Sequence, residues 1–168
     1  MNEVPDSPWT KKDIWTNLIA VLILMSLASY MILVKSWVLL IFYWIMWFLY
    51  FTVGRYVVCR HCDYLGKPCA TWCMGIIGGK LFKRSDKKNF LENGKWKFFV
   101  FALSFLFIAG LLPLIVYVYQ LFTEGLSIID WTFLIIYFII FIIVNIIHLS
   151  LGCKKCPIKV CPFNRAKE

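Results

Sequence analysis

The residues with the most chemistry in this chain are its seven cysteines, which fall into two groups. One reads Cys59-Arg60-His61-Cys62, followed by Cys69 and Cys73; the other reads Cys153-Lys154-Lys155-Cys156-Pro157, followed by Cys161-Pro162. Two-residue spacing lets a tight turn aim two sulfurs at one centre, as tetrahedral zinc or an iron–sulfur cluster requires. Cys69 and Cys73, if helical, stand one turn apart on one face. Cys59, Cys62, Cys69, Cys73, Cys153, Cys156 and Cys161, with His61 as the eighth, are the candidate metal ligands. Eight ligands suit two four-ligand sites, or one site with spare thiols. Iron–sulfur and zinc are weighed evenly. The cationic neighbours Arg60, Lys67, Lys154 and Lys155 are expected to lower the thiol pKa values and favour thiolates. The rivals are reversible dithiol chemistry and thiols that merely pack as small hydrophobes.

Several sharper motifs fail. Haem c attachment needs His after the second Cys of the pair, where Asp63 stands. The stretch Gly75-Ile76-Ile77-Gly78-Gly79-Lys80 departs from a phosphate loop in its first glycine and in Leu81. The tail motif and the helix count resemble the membrane ferredoxins of quinol-oxidising nitrate and nitrous-oxide respiratory systems. The repeated ferredoxin motif itself is missing, so no function is carried over. Four-helix thiol oxidoreductases of the vitamin K epoxide reductase type also use Cys-x-x-Cys, on the oxidising side of the membrane; a dithiol oxidoreductase ranks third here.

The elements that must position these groups are apolar. The 168 residues are 61% hydrophobic and only 16% charged, the balance of a membrane protein. Runs at 17–34, 37–53, 98–119 and 128–151 are long enough to cross a bilayer at about 1.5 Å per residue. The fold expected is an all-α integral membrane protein, a four-transmembrane-helix bundle in one membrane domain. A Cys-rich cytoplasmic loop spans 55–97 and a Cys-rich tail spans 152–168. The polar first sixteen residues carry no convincing signal peptide, so the first run reads as a retained helix. Lys35-Ser36 must be a tight turn between antiparallel spans, with one long bent helix as the alternative. Gly110 and Pro113 predict a kink in the third span, whose freed carbonyl a neighbouring helix must satisfy. The segment from Trp72 to Phe82 is expected to lie in the headgroup region. The second and fourth spans can be neighbours, which would let the two Cys groups meet.

Charge fixes the expected sidedness. Of the 18 Lys and Arg residues, 2 precede the first span, 10 lie in the central loop and 5 in the tail; the opposite turns hold only Lys35. That is the positive-inside pattern, so both termini should be cytoplasmic in a multi-pass protein of the cell membrane. The partners expected are the bilayer, its anionic headgroups and a cytoplasmic redox partner, and no nucleic acid, since no recognition motif accompanies the charge. His148 and Asn145, three apart, would form either a relay beneath the cysteines or an interhelical hydrogen bond. Asp130 is expected to cap the fourth helix. Trp131, Tyr117 and Tyr119 should form an outer aromatic belt, with Trp9 and Trp96 on the inner side. No reaction is named by these residues. The function expected is a cysteine-ligated metal or iron–sulfur site, with electron transfer as one use of it; the alternative is a non-redox scaffold or transport subunit locked by zinc.

Overall fold

A computed structural model of the chain describes residues 7–60, 62, 64–70, 74–84 and 96–156. All the regular structure among them is helical. Helix α1 covers Lys11–Lys35 and α2 covers Trp37–Leu49. A π-helical turn, Tyr50–Gly54, carries α2 into α3, Arg55–Cys59. Then come α4 (Met74–Leu81), α5 (Trp96–Thr123) and α6 (Ile128–Ile147), the last running into a second π-helical turn, His148–Cys153. Four of these helical stretches are long and apolar enough to cross a membrane: Lys11–Lys35, Trp37–Gly54, Val100–Thr123 and Ile128–Cys153.

Local chemistry sets the ends. Thr10 and Asp13 form a reciprocal capping box, so α1 starts at Lys11, six residues before the apolar run itself. Ser36, in an extended conformation, ends α1 and caps α2, which confirms a tight turn over one bent helix. At α6 the N-cap is Ser127, and Asp130 is the returning member of the capping box rather than the cap itself. Asp130 also takes an ion pair from Lys35 at 2.6 Å, which ties the α1–α2 turn to the start of α6. Gly125, at φ 78, closes α5 by donating its amide to Gln120 O.

The core holds Val21, Leu24, Met31, Ile32, Tyr43, Trp47, Ala109 and Tyr137. Helix α1 packs on α6, and α2 on α5; α1 also touches α2 and α5, and α5 touches α6. The second and fourth spans therefore sit diagonally across the bundle, not side by side as expected. Close approach of α6 to α5 depends on Gly110, where a Cβ would meet Phe141 at 3.1 Å. Tyr137 of α6 donates to the Gly110 carbonyl at 2.6 Å, next to the carbonyl that Pro113 deprives of its usual partner. This bond reaches the Gly110 carbonyl, one residue beyond the Ala109 carbonyl that Pro113 frees, so it braces the proline turn without supplying the partner expected for that carbonyl. Outward faces remain apolar: Ile23 is 52% exposed, Phe48 66% and Ile139 51%. Apolar surface on this scale is far beyond what a soluble monomer leaves uncovered.

Candidate functional site

The five described cysteines lie at one end of the bundle, where three separate stretches of chain meet. The segment before α1 contributes Trp9, whose indole donates to Gly152 O at 3.0 Å and whose ring packs edge-on against Tyr64 at 5.2 Å. Trp9 is thus a buried keystone between loop and tail rather than part of an aromatic belt. Ser7 donates to Pro68 O at 2.8 Å, and Lys155 pairs with Asp13 at 2.6 Å. Trp9, Ile14, Tyr64 and Ala70 form a small core of their own, and Cys62, Cys69 and Cys156 pack against it.

A π-helical turn stands close to each Cys-x-x-Cys pair: the first precedes α3, which ends on Cys59, and the second itself ends on Cys153. Each pair closes by a backbone turn. Cys62 N–H donates to Cys59 O at 3.0 Å, and Cys156 N–H to Cys153 O at 3.2 Å. Cys69 lies in the loop ahead of α4, not on a helix, and its sulfur accepts the Gly75 N–H at 3.1 Å. Such N–H···S bonds support thiolate ligands in metal centres. None of the five described cysteines forms a disulfide. Three expected ligands, His61, Cys73 and Cys161, lie outside the described residues. Among the described residues no three of His, Cys, Asp and Glu stand in a ready metal-binding arrangement.

The electrostatics differ from expectation. Burial pushes the Cys59 thiol up, against the opposing pull of Arg55. Burial also pushes Cys62 up to about 12, and charges on Cys59, Cys69 and Cys156 add to that rise. Desolvation is the largest influence on both thiols, and at Cys59 it outweighs even the buried Arg55 guanidinium. Burial thus keeps Cys59 and Cys62 protonated at neutral pH, at Cys59 in spite of Arg55.

Beneath this cap runs a polar layer of which the sequence singled out only His148. Asn17 is wholly buried; its amide nitrogen donates to Ala70 O at 2.6 Å and contacts His148 Nδ1 at 3.0 Å. Accepting at Nδ1 requires a neutral His148 with its proton on Nε2. His148 therefore makes an interhelical hydrogen bond, though to α1 and not with Asn145. Asn145 is exposed and bonds its own helix at Phe141 O. The second polar contact pairs buried Arg55 with the Tyr50 hydroxyl, its guanidinium 4.4 Å over the Tyr50 ring. Asn17→Leu is expected to cost about 2–3 kcal/mol, because it orphans a buried carbonyl and an imidazole together. Thermal unfolding in detergent measures this; a loss under half a kcal/mol would show that the layer is not structural. No known protein family, characterised protein or solved structure matches the chain.

Proposed function

We propose that the four helices cross a bilayer and that the cap at their cytoplasmic end holds a metal centre bound by cysteine thiolates. One observation carries this reading: Cys62 and Cys69 of the loop and Cys156 of the tail pack against the same small core. Buried, protonated thiols such as Cys59 and Cys62 are groups that a divalent cation or an iron–sulfur core relieves, since the metal replaces the protons. The ligands proposed are Cys59, Cys62, Cys69 and Cys156, with Cys153 as a further candidate; His61, Cys73 and Cys161 lie outside the described residues.

Zinc there would lock three chain segments into one cap, the role of a structural site. An iron–sulfur cluster would do the same and would also accept and pass an electron at the membrane surface. The meeting of loop, tail and amino-terminal segment at this point favours a structural contribution in either case. The dithiol reading is weaker, because a reactive pair needs one thiol of depressed pKa and burial raises both Cys59 and Cys62.

Purification without oxygen, followed by elemental analysis and absorption spectroscopy, tests the proposal. Broad absorption near ~400 nm with bound iron and sulfide identifies a cluster, and a colourless protein with stoichiometric zinc identifies the structural site. Metal-free protein with all its thiols titratable refutes both. Acidity provides a second test. Cys59 and Cys62 are protonated in the metal-free cap and must lose those protons on binding. Affinity for zinc should therefore rise with pH, by at least about a hundredfold per unit between roughly pH 6 and 8, as the two protons released from Cys59 and Cys62 alone require. A competition titration with a chromophoric chelator measures the slope; a flat profile would exclude these two thiols as ligands.

A further inference from the structure

Helix α4 presents two opposed faces. Gly75, Gly78 and Gly79 line one of them, pressed against backbone of the cysteine loop: a Cβ at Gly75 would lie 2.3 Å from Lys67 O, and one at Gly79 2.4 Å from Gly66 Cα. By the helical repeat of about 3.6 residues, Ile76, Ile77, Lys80 and Leu81 occupy the other face. Ile76 is 37% exposed, Ile77 43% and Leu81 62%. Lys80 stands among them, and Lys83 and Arg84 follow directly. A face of three aliphatic side chains threaded by cations is suited neither to water nor to a hydrocarbon core. It matches the boundary between the two, where aliphatic carbon dips into the acyl region and lysine reaches out to phosphate.

The position of α4 agrees with its chemistry. Helix α3 adds only five residues to the second span, about 7 Å of rise, which is close to the depth of one headgroup layer. At Gly78 a Cβ would be 3.4 Å from Cys59 Cβ, so α4 lies level with the end of α3. Tyr56 and Phe82 hold the far end of α4 at a ring separation of 5.3 Å.

We propose that α4 is an interfacial anchor, in which Ile76, Ile77 and Leu81 enter the bilayer that the protein itself crosses while Lys80, Lys83 and Arg84 bind anionic phospholipid headgroups. The glycine face then fixes the cysteine loop to the membrane surface. The inference rests on membrane insertion but not on the metal. A basic residue at an anionic surface contributes about fivefold to binding, so three are worth on the order of a hundredfold.

The full chain, with Leu81→p-benzoylphenylalanine or Ile77→p-benzoylphenylalanine, is reconstituted in nanodiscs of phosphatidylcholine and phosphatidylglycerol and illuminated. Adducts are read by mass spectrometry, and metal content is measured on the same sample, so that a metal-free result does not obscure the lipid result. Lipid adducts should form at both positions, favouring phosphatidylglycerol at least tenfold per mole. That preference should disappear in K80E/K83E/R84E while adducts with phosphatidylcholine persist. Absence of lipid adducts, adducts with a second protein chain, or equal labelling of the two lipids would each overturn the proposal.

Discussion

Cys62→Ser is expected to abolish metal binding at the proposed site, and Cys156→Ser to do the same from a distant part of the chain. Structural zinc in small proteins is bound with about 10–16 kcal/mol, so losing one of four thiolates costs on the order of 3 kcal/mol, more than a hundredfold in affinity. The effect extends beyond the metal. Cys62 and Cys156 both pack on the small core of Trp9, Ile14, Tyr64 and Ala70, so an emptied site should loosen loop and tail together. Metal content per chain and limited proteolysis of the two segments check this. A Cys156→Ser protein that keeps full metal content would confine the site to the loop and break the proposed link between the segments.

The second large effect is steric. At Gly75 an added methyl would stand 2.3 Å from Lys67 O, 2.9 Å from Tyr64 O and 3.2 Å from Cys69 Sγ. Two of these neighbours are backbone and cannot swing aside, so Gly75→Ala must push α4 off the loop. Two hydrogen bonds are lost with that contact, Gly66 N–H to Gly75 O at 2.8 Å and Gly75 N–H to Cys69 Sγ at 3.1 Å. The expected cost is about 3 kcal/mol, at the upper end for overpacking. Faster alkylation of Cys69 and faster amide exchange over residues 64–69 should accompany it. Gly66→Ala makes a useful contrast. Nothing lies within 4 Å of a Cβ there, but the backbone sits at φ 86, so its cost is torsional, about 1–2 kcal/mol. Gly75→Ala with the stability of the parent chain would mean that the glycine face does not hold the loop.

Much of this architecture is legible in the residue order. The four long helices follow from uninterrupted apolar runs, and the Lys35-Ser36 turn from the one polar break between two of them. Grouping of both Cys-x-x-Cys pairs at one end follows from counting spans between them. The orientation of each helix about its own axis is not legible, because residues facing lipid and residues facing the bundle are equally apolar. Hence the diagonal placement of α2 and α6 could not be read. Nor could the split within one aromatic run, where Tyr43 is core while Phe42 and Trp44 face outward.

The cap was legible as chemistry but not as packing. The pattern Thr10-x-x-Asp13 is a capping-box signal that would have moved the start of α1 to Lys11. Gly75, Gly78 and Gly79 have the three- and four-residue spacing of a close-packing helix face, a signal masked by their likeness to a phosphate loop. Asn17 had no such signal. A single amide at the head of an apolar run reads as a boundary residue, and only the fold brings Ala70 and His148 to it. The cationic neighbours misled in the opposite direction, since their charge is visible in the sequence and the burial of the sulfurs is not.

X-ray absorption at the edge of whichever metal accompanies the anaerobically purified chain tests the central claim most directly. A shell of mainly sulfur at about 2.3 Å is the predicted result, because the described donors are thiols. A shell of nitrogen and oxygen alone would place any bound metal elsewhere and contradict the account.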